Sequence, residues 1–291
     1  MSRIVYDLRA RDFILELGHE TKIMGIINCT PDSFSGDGNY IHSKGSQAHV
    51  STCLNLARKF LREGAEILDI GGESTRPGAL GISVQEEIKR VIPVIDALAR
   101  KIKVPISVDT SKLEVARLAL DAGASIINNI RGTKLNISFL KMVRDYEASI
   151  VIMHMRGISV SMQSKAHYKD LVREVIEELK ISVEKCLGVG IKKDRIIVDP
   201  GIGFSKSVDH NLILIDQLDR LNILHCPILL GTSRKSFIGH ILMNDAGNRL
   251  MGTAATVTAG VMRGAHIVRV HDVKAIKETL KVTDAILNAK A

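Results

Sequence analysis

Eight short aliphatic runs recur along the chain, at residues 23–28, 67–73, 106–110, 126–129, 150–154, 196–199, 228–232 and 267–271, and each ends in a polar or charged residue. Short continuous runs of this kind read as strands buried on both faces, the mark of a parallel sheet. Between them lie segments with helical spacing, among them 48–63, 84–99, 113–122, 171–187 and 211–221. Gly64, Gly123 and Gly264 each stand between a helix end and the next strand, where a C-cap favours glycine. Alternating strands and helices imply right-handed crossovers. The predicted fold class is α/β: one (β/α)8 TIM barrel, a single domain over residues 1–291. A short N-terminal hairpin is expected at 11–17, turning at Gly18-His19 and plugging the bottom of the barrel. An open doubly wound sheet is disfavoured because no glycine-rich dinucleotide turn follows the first strand.

Composition narrows this picture. Hydrophobic residues make up 45% of the chain but aromatics only 3%, with no Trp, so the core is aliphatic, as a barrel interior requires. The formal charge of +8 comes from scattered Lys and Arg, without a basic arm or an aromatic-interleaved stripe, which favours small anionic substrates over nucleic acid. No apolar stretch approaches the ~20 residues of a membrane span, and the first residues lack an apolar signal core, so no membrane association and a cytoplasmic location are expected. The four cysteines show no C-x-x-C spacing, which argues against a zinc site or a disulfide framework.

In a parallel barrel the chemistry collects at the carboxyl ends of the strands. Three such ends carry Asp109, Asn128 and Asp199, whose carboxylates and amide can read the polar edge of a flat heterocycle. A helix N-cap would also explain Asp109, since Thr110-Ser111-Lys112 follows it, but Pro200-Gly201 leaves no such role for Asp199. A second set is cationic: Arg76, Arg234, Lys235, Arg269 and His271. Arg269 and His271 are two apart on one strand and share a face. With Asn28 they could hold a phosphate or pyrophosphate, Asn28 ligating Mg2+ through oxygen; a structural ion pair with Asp272 is the competing explanation. The run from Gly231 to Ser236 leads from a strand end into a helix start, where backbone N–H groups favour an anion. The polar stretches 30–45 and 74–82 read as loops covering the site.

Taken in order, these residues resemble the dihydropteroate synthase family. The likeness runs through Asn28-Cys-Thr-Pro-Asp-Ser-Phe-Ser35, Asp69-Ile-Gly-Gly-Glu-Ser-Thr-Arg-Pro-Gly78, Val108-Asp-Thr-Ser-Lys112, Asp199-Pro-Gly-Ile-Gly-Phe204, Ser233-Arg-Lys-Ser236 and Arg269-Val-His271. It implies a Mg2+-dependent transferase joining 6-hydroxymethyl-7,8-dihydropterin pyrophosphate to p-aminobenzoate, with catalysis by Asp109, Asp199, Lys235, Arg269 and His271. The pterin would be gripped by Asp109, Asn128, Asp199 and Lys235, with Met153, Phe204 and Arg269 against the ring. Pyrophosphate would be held by Asn28, Thr75, Arg76, Arg269 and His271, with the metal at Asn28. The p-aminobenzoate would lie by Thr75, Pro77, Phe204, Lys235 and Ser236, and Phe34 and Asp37 would help close the site. The likeness further implies a homodimer and sulfonamide sensitivity.

Two other activities would draw on part of the same residue set. A pterin-barrel methyltransferase acting on methyltetrahydrofolate shares the ring-reading set but has no use for a diphosphate clamp. A non-catalytic pterin-binding paralogue would have lost part of that clamp, yet Arg76, Arg269 and His271 are all present. The chain departs from the family pattern at Asn129, where Asp is usual, and at Ser205, in Gly203-Phe204-Ser205-Lys206, where glycine is usual.

Overall fold

The computed structural model describes residues 3–30, 46–74, 81–130, 136–157 and 166–289. An antiparallel hairpin, β1 (Tyr6–Ala10) and β2 (Phe13–Leu17), precedes β3 (Lys22–Asn28), β4 (Ile67–Gly71), β5 (Ile106–Asp109), β6 (Ile126–Asn129), β7 (Ser149–Met153), β8 (Ile196–Asp199), β9 (Leu229–Leu230) and β10 (Ile267–Val270). These last eight form one parallel sheet in the order β8-β7-β6-β5-β4-β3-β10-β9. A parallel bridge between Val198 and Ile228 brings β8 against β9 and closes the ring. All eight aliphatic runs therefore became barrel strands. Around them lie α1 (Ser46–Arg62), α2 (Val84–Ala99), α3 (Leu113–Asp121), α4 (Ile137–Asp145), α5 (Leu171–Gly188), α6 (Val208–Asp216), α7 (Ser236–Leu242), α8 (Leu250–Met262) and α9 (Val273–Asn288).

Alternation within each strand divides its aliphatic residues between two cores. One set, with Ile23, Leu68, Val108, Ile127, Ile150, Val198, Leu230 and Val268, packs against the helices. The other set, Met24, Ile67, Ile126, Val151, Ile197, Leu229 and Ile267, fills the barrel together with Leu8, Ala10 and Leu17 of the hairpin. The hairpin thus plugs the bottom of the barrel, as anticipated.

Its turn is elsewhere, however. Tyr6 pairs with Leu17 and Ala10 with Phe13, so the chain reverses at Arg11-Asp12 and not at Gly18-His19. Arg11 takes a positive φ of 54°, held there by tertiary contacts: its N–H donates to Glu147 O at 3.1 Å and its Nη1 to Leu120 O and Ala124 O at 2.7 and 3.0 Å. The helix expected at 211–221 also shifts. A reciprocal pair of bonds between Ser207 and His210 caps α6 three residues earlier, and the segment ends as a 3-10 turn at Leu218–Leu224.

Candidate active site

Two residues beyond the hairpin-facing layer, the same inward positions turn polar. Ile67 is followed by Asp69, Ile126 by Asn128, Ile197 by Asp199 and Ile267 by Arg269, while β5 presents Ser107 and then Asp109. Arg269 is the hub. Its Nε donates to Asp69 Oδ2 at 2.6 Å and its Nη2 to Asp109 Oδ2 at 2.9 Å, while Asn128 Nδ2 donates to the same Asp69 oxygen at 3.1 Å. Register brings these groups together, with Asp109 level with Asn128 on one side and with Gly71 on the other. Burial pushes the Asp109 carboxyl up to about 7 although Arg269 pulls the other way, and the two carboxylates keep Arg269 charged above its ordinary range despite its own desolvation.

Asp199 completes the acidic side. One of its carboxylate oxygens accepts the Gly201 N–H at 2.7 Å, and burial pushes it up to about 6 against that bond and against Lys235 and Lys206. Gly201 has no substitute here: at φ +69° an added Cβ would lie 1.9 Å from the His154 carbonyl oxygen. Lys235 is brought down to about 8 by desolvation and by Arg269, and its Nζ sits 3.9 Å over the Phe204 ring. Phe204 packs with Met153 and Met155, backed by Ile130, as an apolar wall beside the charged groups. Ser205 adopts φ +52°, a left-handed conformation that glycine takes most readily; its hydroxyl bonds the Arg156 carbonyl and accepts the Arg156 N–H.

The third group stands at the end of β10. The Ser233 oxygen accepts the His271 backbone N–H at 3.2 Å and lies 3.0 Å from His271 Nδ1, a hydrogen bond in which the hydroxyl donates when the imidazole proton is on Nε2 and accepts when it is on Nδ1. Desolvation, then Arg269 and Arg234, press His271 down to about 3. Its place in a cationic set needs correcting: at neutral pH it is an uncharged N–H donor. Asp272 does not pair with Arg269 either. It takes Arg234, at 2.9 and 2.5 Å, leaving that arginine a structural ion pair. Asp109 is likewise no helix cap, since α3 starts after Lys112, whose N–H is taken by Thr110 Oγ1. Ser236 opens α7 and is exposed, and Asn28 is half-buried at the end of β3, level with Gly71.

Of the residues singled out from sequence, Asp109, Asn128, Asp199, Lys235, Arg269, Met153 and Phe204 thus converge through the contacts and registers given above, with His271 and Ser236 on the segments that follow β10 and β9. Phe34, Asp37, Thr75, Arg76 and Pro77 lie outside the described residues. Sequence reasoning gave no role to three groups that the structure draws in. Asp69 holds Arg269 and Asn128, and its Oδ1 has no hydrogen-bond partner among the described residues. Lys206, buried, donates to His154 Nδ1 and to the Phe204 carbonyl at 3.0 and 2.9 Å; desolvation lowers it to about 7. Lys112 bridges buried Glu87 at 2.5 Å and Glu73 at 3.1 Å, and Glu73 in turn accepts the Ile82 N–H. Counting alternate positions back from each strand end would have found Asp69.

Barrel and site together define a pterin-handling enzyme, and the family described as pterin binding enzyme matches residues 24–271. Curated relatives agree. A dihydropteroate synthase of Synechocystis is 43% identical over 94% of this chain and 92% of its own length, and that of Escherichia coli K12 is 41% identical over 97% of each. Among solved structures, the Yersinia pestis dihydropteroate synthase in a sulfonamide drug complex superposes with a TM-score of 0.89 at 38% identity, covering 97% of this chain and 100% of that one. The Xanthomonas albilineans dihydropteroate synthase with 4-aminobenzoic acid gives 0.88 at 38% identity, over 99% and 100%. The chain belongs to the dihydropteroate synthase family, transferases of folate synthesis.

Proposed function

We propose that the mouth of the barrel binds 6-hydroxymethyl-7,8-dihydropterin pyrophosphate and p-aminobenzoate and joins them by departure of diphosphate followed by attack of the amine. The observation that carries this reading is the gathering of buried Asp109, Asp199 and Asn128 and half-buried Lys235 around one arginine, next to an apolar wall. Asp109, Asn128 and Asp199 supply acceptors and one donor for the polar edge of the pterin, Lys235 a further donor, and Met153 and Phe204 its apolar contacts, with Arg269 stacking on the ring. When the methylene C–O bond breaks, its electron pair leaves with diphosphate, and the carbocation that remains is stabilised by carboxylates already in place. Arg269 and neutral His271 donate to the departing oxygens; Thr75 and Arg76 are assigned to the same clamp by family likeness. The amine lone pair then forms the C–N bond and the nitrogen gives up a proton to the released diphosphate or to water.

Mg2+ fits the donor set at Asn28. Magnesium keeps most of its waters and takes few protein oxygens, the rest coming from phosphate. An added Cβ at Gly71 would stand 3.8 Å from Asn28 Oδ1 and 3.6 Å from Asp109 Cβ, so the glycine leaves the amide oxygen open on that side. Bound there, the ion would neutralise charge building on the leaving diphosphate. The p-aminobenzoate is assigned to Ser236, Lys235 and Phe204 with Thr75 and Pro77, where sulfonamides would compete, and Phe34 and Asp37 to closure. A homodimer is assigned on the α7–α8 side, where Ile241, Leu242, Met243 and Met251 are exposed, Met243 by 92%. A cytoplasmic location agrees with four free thiols.

The decisive experiment follows isotope scrambling of the bridging oxygen in the pterin pyrophosphate without p-aminobenzoate. Scrambling that requires Mg2+ and stops in Asp199→Asn is the expected result. Turnover to dihydropteroate with no scrambling in an enzyme saturated with pterin substrate would replace stepwise departure by direct displacement.

A further inference from the structure

Three metal-ligating side chains meet where β3 ends beside α1, and the chemistry argued above uses none of them. Cys29 directly follows Asn28, and His49 and Cys53 are four residues apart on α1, hence on one face of that helix. Cys29 Sγ lies 3.7 Å from Cys53 Sγ, Cys53 Sγ lies 4.0 Å from His49 Nε2, and the three ligand atoms all fall within 4.8 Å of one another. Both cysteines are fully buried while His49 is half-buried, so an ion would enter past the imidazole. The absence of C-x-x-C spacing, which argued against zinc, concealed this group because its members come from a strand end and a helix face.

We propose that Cys29, His49 and Cys53 form a binding site for a thiophilic cation, with Zn2+ the ion that the donor set fits best. Two thiolates and an imidazole are the ligands that select zinc over magnesium, which takes oxygen donors. Around a tetrahedral zinc with Zn–S of about 2.3 Å, two thiolates stand about 3.8 Å apart, close to the separation seen here. A Zn–N bond of about 2.0 Å asks for roughly 3.5 Å between each sulfur and the imidazole nitrogen, so His49 must move inward, by about half an ångström toward Cys53 and by up to about 1.3 Å toward Cys29. His49 is also hydrogen-bonded to the backbone at Arg90, the outer-shell support a ligating imidazole normally has. Binding would release the thiol protons, leave a fourth position for water, and tie the end of β3 to α1 one residue from Asn28.

The test titrates the reduced full-length protein with Co2+ as a spectroscopic probe, then with Zn2+, and measures metal content after desalting. One equivalent of Co2+ is expected to give a thiolate charge-transfer band that one equivalent of Zn2+ abolishes and excess Mg2+ leaves untouched. Cys53→Ser removes the band. His49→Asn, at a half-exposed position that should not disturb folding, weakens the apparent affinity at least about tenfold. Cys186→Ser, at a buried thiol on α5, changes neither. Circular dichroism shows which variants are folded; should Cys53→Ser fail to fold, His49→Asn decides. No band in the reduced wild-type protein, a band that survives in folded Cys53→Ser, or unaltered affinity in His49→Asn overturns the proposal. So does a reduced protein that takes up no metal while its air-oxidised form joins Cys29 to Cys53, which would make the pair a redox couple instead.

Discussion

The two ends of the barrel are built from the same strands and the same inward positions, yet one end is packing and the other is chemistry. Strands β4, β6, β8 and β10 send Ile67, Ile126, Ile197 and Ile267 against the hairpin, and Asp69, Asn128, Asp199 and Arg269, two residues later, into the mouth. Two strand residues span only about 6.6 Å. Over that distance the interior changes from side chains that gain by leaving water to charges that lose by it. The desolvation cost at the mouth is offset only in part by the pairs Arg269 makes with Asp69 and Asp109. Stability should therefore reside at the hairpin end, and activity should depend on groups the fold would be better off without.

The largest expected effects split along this line. Asp109→Asn removes a buried negative charge from the reacting centre, and should lower kcat by about 100-fold to 1,000-fold, the range for losing one preorganised electrostatic contact. Its urea midpoint should stay within error of the wild type or rise. Ile197→Ala, at the hairpin end of the same interior, should do the reverse: about 2–5 kcal/mol of unfolding free energy lost to lost burial and a cavity, with kcat/KM of the folded fraction almost unchanged. Comparable destabilisation by both variants in parallel urea titrations would break the division between the two ends.

The pH dependence sharpens it. Asp199 and Asp109 are raised to about 6 and 7 and Lys235 is lowered to about 8, so kcat/KM for the pterin substrate should rise between about pH 6 and 7 and fall above about 8. Stability follows with a defined sign. A carboxyl group whose folded pKa is raised leaves the native state holding more protons than the unfolded chain, so its contribution falls as pH climbs from about 4 to 7. Buried His154, His266 and His271 are lowered to about 4, 4 and 3; their contribution is present above the ordinary histidine range and lost as pH falls toward 4. The carboxylate part is isolated by subtracting the Asp109→Asn stability profile from that of the wild type. The difference should be greatest above about pH 7 and vanish near pH 4, with the variant the more stable; a flat difference would show that Asp109 ionises freely.

Strand ends were legible in the sequence because a parallel barrel makes its polar endings the active rim, and Asp109, Asn128, Asp199 and Arg269 all sit at such ends. Asp69 was not, because it lies inside an aliphatic run extended to Glu73, and only inward parity distinguishes it from its neighbours. His271 was legible as a strand-end residue but not in its charge, which depends on burial and then on Arg269, two residues before it on β10. The turn at Arg11 was invisible because its positive φ is stabilised by carbonyls of residues more than a hundred positions away. The thiol cluster escaped for a similar reason: its spacing is set by helix and barrel geometry, with no local motif to report it.

The smallest effect expected concerns the orientation of His271. Ser233→Ala removes the hydroxyl that bonds Nδ1 and accepts the His271 N–H, while Arg269 and the carboxylates keep their partners. A single neutral hydrogen bond contributes about 0.5–1.5 kcal/mol, so affinity for the pyrophosphate-bearing substrate should fall roughly threefold to tenfold. The loss should be specific to the anion, because the imidazole loses the hydrogen bond that fixes its ring and its tautomer toward the clamp. Isothermal titration with the pterin pyrophosphate and with the pterin alcohol that lacks it separates the cases. An equal loss for both ligands would place Ser233 in the framework of the ring-reading set and not in the clamp.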